Sequence, residues 1–333
     1  MCTAATYQTK DFYMGRTLDY EFSYGEKITI VPRNYPIKYR HTKTMNNHYA
    51  IIGMAHVTDN YPLFYEAVNE RELGIAGLNF VGNASYQEPT INKNNIAQFE
   101  FIPWLLSQCQ NISEVKNLLK ETNITNEAFS SSYPAAQLHW LIADQNQSIV
   151  VEAVSEGLKI YDNPVGVLTN NPSFDKQLFA LNNYRHLTNK NPQNTFGQNV
   201  NLDLYSRGLG ALGLPGDISS QSRFIRASFV KTNSVSSNGE VASVNQFFHL
   251  LNTVEQVRGC CEVKENEYEI TIYTSCINAT QGIYYYTTYN NHQINAVAMH
   301  KEDLESHELH HVPLNRYRTY QSSKLTKKYQ LNF

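Results

Sequence analysis

Met1-Cys2-Thr3-Ala4-Ala5-Thr6-Tyr7-Gln8, then Thr9-Lys10-Asp11, then Phe12-Tyr13-Met14-Gly15-Arg16-Thr17-Leu18-Asp19 opens the chain. Cys2–Gln8 alternates as a strand does, Thr9-Lys10-Asp11 is a turn signal, and Phe12–Asp19 reads as a second strand. A hairpin would return Arg16 and Asp19 to the neighbourhood of Cys2. Initiator Met is generally removed before a small residue such as Cys, which would leave Cys2 with a free α-amine. The unperturbed amine titrates near 7.7–8.0 and the thiol near 8.5, so base and nucleophile would sit on one residue. A cation close by favours thiolate, and a carboxylate can hold the ammonium form. The ordinary alternative is an incidental small residue at position 2 and a surface ion pair between Arg16 and Asp19.

The chain has 333 residues, 41% hydrophobic, with 27 Lys+Arg against 30 Asp+Glu. That is enough for one large domain or two small ones. With no repeat and no Pro/Ser-rich linker, residues 1–333 read as one domain, with 316–333 an unassigned basic tail carrying Lys324, Lys327 and Lys328. The near-balanced charge argues against a nucleic-acid partner. No run of about 18 apolar residues occurs, so no membrane span is expected. No secretory signal is read at the N-terminus. Cys2, Cys109, Cys260, Cys261 and Cys276 are odd in number and fit neither a zinc site nor a disulfide framework. A cytoplasmic location follows as the expectation, with no cofactor and no metal.

Strands are expected over Lys27–Pro32, Tyr49–Ala55, Leu73–Phe80, Ala136–Asp144, Ser148–Ala153, Glu267–Thr274, Gly282–Tyr289 and Ile294–His300. Helices are expected at Phe99–Cys109, around Ile112, Val115, Leu118 and Leu119 with Ser113 as cap, and at Ser173–Leu187, Ser222–Thr232 and Ser243–Val257. Thr188–Leu214 reads as a long loop, a length often tied to function. Strands, helices, then strands again indicate an α+β, layered domain.

His307-Glu308-Leu309-His310-His311 matches the His-Glu-x-x-His pattern of zinc peptidases. That pattern needs a helix to bring both histidines onto one ion. Val312-Pro313 follows at once and the preceding segment reads as strand, so no helix can be built there. His139, beside Trp140, reads as a packed strand residue.

Several segments in order along the chain carry a resemblance. They are Met1-Cys2-Thr3, Gly15-Arg16-Thr17-Leu18-Asp19, Ala76-Gly77-Leu78-Asn79-Phe80, Leu168-Thr169-Asn170-Asn171-Pro172, Gly213-Leu214-Pro215-Gly216-Asp217, Ser222-Arg223-Phe224, Tyr273-Thr274-Ser275-Cys276 and Gly282-Ile283-Tyr284-Tyr285-Tyr286. The chain thus resembles the choloylglycine hydrolase family, which holds bile salt hydrolases and penicillin V acylases. The resemblance implies a four-layer αββα N-terminal nucleophile hydrolase fold with two stacked antiparallel sheets, and a homotetramer.

It further implies catalytic roles for Cys2, Arg16, Asp19, Asn79, Asn170 and Arg223. Cys2 would be nucleophile, its own amine the base, with Arg16 beside the sulfur and Asp19 beside the amine. Asn79, through its backbone N–H, and Asn170, through its side-chain amide, would form the oxyanion hole, and Arg223 would complete the cluster. Asn at 79 favours the bile-salt branch, since several penicillin V acylases carry Tyr there. The substrate would be a conjugated bile salt, a rigid apolar steroid with an acidic tail, cleaved to glycine or taurine and a free bile acid. Penicillin V or another N-acyl amide is the alternative substrate, and a noncatalytic binding protein of the same fold the alternative class.

Family pocket positions fall on Leu18, Phe129 and Tyr133, which suit a greasy trough. Ser206-Arg207-Gly208, in the long loop, resembles a motif of enzymes that prefer taurine conjugates. A guanidinium presents several donors to sulfonate oxygens. That loop would reach a neighbouring subunit's site.

Overall fold

The N-terminal hairpin forms. In the computed structural model, which describes residues 1–319, strands Cys2–Gln8 and Phe12–Tyr20 pair antiparallel, with Cys2 opposite Leu18 and Ala4 opposite Arg16. A Thr9 N–H to Asp11 carbonyl bond of 3.1 Å closes the turn. Successive strand side chains alternate faces. This register therefore puts Cys2, Arg16 and Leu18 on one face and Thr3, Thr17 and Asp19 on the other.

Two antiparallel sheets are built outward from that hairpin. The six-stranded sheet runs Val167–Leu168, Cys2–Gln8, Phe12–Tyr20, Ile270–Asn278, Ile283–Thr288, Asn291–Ala298. The eight-stranded sheet runs Gly157–Asp162, Ser148–Val154, Leu138–Ala143, Gly74–Asn79, Tyr61–Asn69, Ile51–Thr58, Lys27–Val31, His310–Pro313. The sheets stack face to face through Cys2–Gln8 and Phe12–Tyr20 against Gly74–Asn79. Helices Ser220–Asn233 and Glu240–Asn252 cover the outer face of the first sheet, and Phe101–Leu106 covers the second. The layers are helix, sheet, sheet, helix, as expected of the N-terminal nucleophile hydrolase fold. Apolar side chains bury one cluster between the sheets and under the two long helices, and another between the second sheet and its own helices. At Gly15 a β-carbon would stand 2.1 Å from the Ser275 carbonyl oxygen, so only glycine lets these strands meet.

Some expectations are corrected. The helix Ile112–Leu119 is capped by Asn111, whose Oδ1 accepts from Glu114 N–H at 3.0 Å; Ser113 lies inside the first turn. The buried helix expected over Phe99–Cys109 is shorter, Phe101–Leu106, behind a 3₁₀ turn. Tyr61–Asn69 and Gly157–Asp162 are strands that the sequence reading left out. The first follows a tight turn at Asp59 and Asn60, both with positive φ. His310–Pro313 is a strand paired to Lys27–Val31, so the His-Glu-x-x-His segment has no helical geometry. Residues 188–214 hold one 3₁₀ turn, Leu209–Ala211, and no strand. Lys324, Lys327 and Lys328 lie outside the described residues. Among the described residues no helix is long and apolar enough to cross a membrane.

Candidate active site

Cys2 starts the first strand and is 3% exposed. Met1 continues the pairing: its carbonyl accepts from Asp19 N–H at 3.0 Å. Its terminal ammonium donates to the Asp19 carbonyl at 2.9 Å and ion-pairs with Glu269. The nitrogen of Cys2 donates to Asn170 Oδ1 at 2.7 Å.

Arg16 shares the Cys2 face, one register step away. Strands Tyr61–Asn69 and Gly74–Asn79 pair from Val68–Gly74 to Glu66–Ala76, and the ladder ends there. The Arg16 guanidinium takes up the freed carbonyls, Nη1 donating to those of Tyr65 (3.2 Å) and Gly77. Nε donates to the Thr17 carbonyl at 3.3 Å and lies 3.9 Å from Glu66. Burial opposes the guanidinium's charge, yet Cys2, Tyr273, Glu66 and Asp19 together hold its pKa above the ordinary value. Glu66 is itself fully buried and accepts from the hydroxyls of Tyr273 (2.7 Å) and Tyr284.

Asp19 faces the helical layer. Its carboxylate accepts from Thr271 Oγ1 at 2.7 Å and Thr17 Oγ1 at 3.1 Å. Burial drives its pKa up, against the terminal amine, Arg223 and those two hydroxyls. Arg223 comes from the second turn of Ser220–Asn233, a helix capped by Ser219. It is fully buried; Nη1 donates to the Cys2 carbonyl and to Thr3 Oγ1, each at 2.6 Å, and Nη2 to Asn170 Oδ1 at 2.9 Å.

Asn170 follows the short strand Val167–Leu168. Its N–H donates to Ser220 Oγ at 2.8 Å, and the preceding Thr169 carbonyl is 2.8 Å from His139 Nε2. His139 is buried, bonded to Glu152 and stacked on Phe80, the packed role expected for it. Asn170 Nδ2 donates to the Asn79 carbonyl at 2.9 Å. Phe80 N–H bonds the Gln137 carbonyl across the ladder at 2.7 Å. By the alternation of an antiparallel pair, Asn79 N–H and C=O point the opposite way, away from the strand Leu138–Ala143.

These six residues thus converge. A cavity of about 430 Å³ opens on Cys2, Arg16 and Asn79, and Leu18, Phe129 and Tyr133 line it, with Leu63, Phe64, Phe99 and Ile102. Ser206 and Arg207 are not brought there; both are exposed in the 188–214 loop, away from the lining of this chain's cavity. The sequence reading missed Glu66, Glu269, the carbonyl of Tyr65, and His56 and Gln98 in the cavity wall. The Asp59-Asn60 turn was the available signal for the strand that carries Tyr65 and Glu66.

The stacked antiparallel sheets between helices place the chain in the N-terminal nucleophile hydrolase fold. The profile of the family described as linear amide C–N hydrolases, choloylglycine hydrolase family, matches residues 2–312. The chain belongs to the choloylglycine hydrolase family. It is 55% identical to a bile salt hydrolase/transferase of Lactiplantibacillus plantarum, over 94% of this chain and 97% of that one. It is 39% identical to a bile salt hydrolase/transferase of Clostridium perfringens, over 95% and 98%. The crystal structure of the C2A mutant of conjugated bile acid hydrolase from Clostridium perfringens superposes with TM-score 0.89 at 38% identity, covering 97% of this chain and all of that one. Penicillin V acylase from Agrobacterium tumefaciens shares the fold, with TM-score 0.72 at 20% identity, over 94% and 92%.

Proposed function

We propose that the protein hydrolyses the amide bond of glycine- or taurine-conjugated bile salts through a thioester on Cys2. The observation that carries this is one thiol at the floor of an apolar cavity, with donors and charges converging on it from four separate segments. The names of the relatives supply the substrate class.

Removal of Met1 would turn the Cys2 nitrogen into a primary amine beside Asn170 Oδ1 and the Asp19 segment. The thiol gives its proton to that amine, and sulfur attacks the carbonyl carbon. The oxyanion takes the Asn79 N–H and one Asn170 Nδ2 proton, donors aimed where charge develops. The ammonium then protonates the leaving nitrogen, and glycine or taurine departs. Water, deprotonated by the same amine, attacks the thioester and releases the bile acid. Arg16 supplies positive field near the sulfur, while Arg223 holds the Cys2 carbonyl and Asn170 in register.

The reading includes a cytoplasmic homotetramer. All five cysteines are free, which suits a reducing compartment. A taurine preference through Ser206 and Arg207 requires that their loop reach a neighbouring copy's cavity, since it does not reach this chain's own.

The test is product analysis with purified protein on paired glycine and taurine conjugates and on penicillin V. Cleavage of both conjugates well above penicillin V is expected. Penicillin V as the better substrate would move the protein to the acylase branch, and turnover of none would leave a binding protein. Mass spectrometry of the active protein is expected to show loss of Met1; full activity with Met1 retained contradicts the mechanism.

A further inference from the structure

A hydrogen-bonded polar pair sits in the cavity wall, which also holds Gln98, Ser132 and Gln137. His56, on Ile51–Thr58, lies with Nε2 2.8 Å from the Tyr133 hydroxyl, and the two rings stand 5.1 Å apart at 44°. Both side chains line the cavity that holds Cys2. The other ring nitrogen, His56 Nδ1, is buried and has no hydrogen-bond partner among the described residues.

That orphan nitrogen decides which way the pair is polarised. A buried N–H without an acceptor is rarer and costlier than an under-used lone pair. The neutral imidazole therefore keeps its proton on Nε2, which donates to the Tyr133 oxygen. The phenolic proton of Tyr133 is then left without an acceptor among the described residues of the wall. Tyr133 is held in place from behind: its carbonyl accepts from Phe129 N–H at 3.0 Å, and its N–H donates to the Ser130 carbonyl at 3.1 Å. Arg40 Nη2 ties the same loop through the Phe129 carbonyl at 2.6 Å.

We infer that His56 and Tyr133 form a hydroxyl-reading pair, in which Tyr133 donates to a hydroxyl oxygen on the ring system of the acyl group. A neutral donor suits a neutral hydroxyl. The acidic tail of a conjugate would call for a cation, and among the described residues the one Lys or Arg in the cavity lining is Arg16. A rigid polycyclic acyl group in an apolar trough exposes few polar atoms, so a single aimed donor discriminates among congeners that differ in one hydroxyl. This inference rests on the proposed bile-salt reading.

The experiment compares kcat/KM for two taurine conjugates, one with and one without a 12-hydroxyl, and repeats the pair lacking the 7-hydroxyl. Tyr133→Phe and His56→Leu are expected to lower the preference for the hydroxylated member of one pair by roughly 3- to 10-fold, carried mainly by KM. His56→Gln, whose amide can still donate to the Tyr133 oxygen, is expected to keep that ratio within about twofold of the parent. Equal losses on both members of both pairs overturn the inference, as does a His56→Gln ratio that falls as far as that of His56→Leu. Failure of the unmodified enzyme to cleave any conjugate sinks the substrate reading instead, so the two failures are told apart.

Discussion

Asn170 Oδ1 accepts a hydrogen bond from the Cys2 nitrogen at 2.7 Å while also accepting from Arg223 Nη2 at 2.9 Å. In the proposed mechanism the nitrogen that acts as base is thus oriented before it becomes an amine. The same side chain turns its Nδ2 to the Asn79 carbonyl, so one residue would link the proposed base to the proposed oxyanion donors. Asn170→Ala is expected to lower kcat by about 10²–10³-fold with a smaller change in KM. Steady-state kinetics on a taurine conjugate check this; an effect confined to KM would remove Asn170 from the transition state.

Cys2→Ala removes sulfur from a strand whose ladder hydrogen bonds come from the backbone. Turnover is expected to vanish while the circular dichroism spectrum and the conjugate's binding persist. Measurable turnover by this variant would point to a different nucleophile.

Glu66 is the carboxylate nearest the Arg16 side chain, and both are buried within the sheet stack. Removing one member of such a pair leaves an uncompensated charge and, here, two tyrosine hydroxyls without their acceptor. Glu66→Leu is expected to destabilise the fold by roughly 3–5 kcal/mol, read from urea denaturation. Glu66→Gln keeps an acceptor for one hydroxyl and should cost less. An unchanged midpoint in Glu66→Leu would show that the carboxylate carries no net stabilising role.

Glu100 lies under the cavity wall, 1% exposed, accepting from the backbone N–H groups of Arg40 (2.7 Å) and Ala97 (3.0 Å). Burial pushes its pKa up to about 7, against those two bonds and the Arg40 charge. The ordinary carboxyl value is 4.5. Between these values the folded chain binds more protons than the unfolded one. Its contribution to stability therefore falls as pH rises through that window and levels off above it. Glu100→Gln is expected to flatten the decline in urea midpoint from about pH 5 to about pH 8. A slope equal to the parent's would rule this group out as its source.

Arg207 stands exposed on the 188–214 loop, so the sulfonate role proposed for it depends on a neighbouring copy. Arg207→Ala is expected to lower kcat/KM for taurine conjugates more than for glycine conjugates, and only under conditions where light scattering shows an oligomer. Equal losses on both conjugates would leave Arg207 as an ordinary surface residue.

The legible part of the site lay where chemistry is written in local order. Cys2 behind Met1, the alternation through Gln8, the turn and the return to Asp19 together bring Arg16 and Asp19 back to the neighbourhood of Cys2, Arg16 on the face of the thiol and Asp19 on the other. Asn79, Asn170 and Arg223 were legible only through the resemblance, because nothing local distinguishes a turn asparagine or a helical arginine from one aimed at a thiol. The strand Tyr61–Asn69 was missed despite its Asp59-Asn60 turn, and Glu66 was missed with it.

Amino-acid order by itself determined the hairpin, its parity and therefore which of Arg16 and Asp19 shares the face of Cys2, because strand side chains alternate with period two wherever the register is set by a short turn. It also determined the alternation of strands and helices that marks an α+β, layered domain, while the four-layer stacking was implied by the family resemblance. Only the tertiary structure decided that Glu66 and Glu269 are buried against charges, that His56 meets Tyr133, and that Arg207 stands outside its own chain's cavity. Those are contacts between segments far apart in sequence, and their distances depend on how sheets pack rather than on any local pattern.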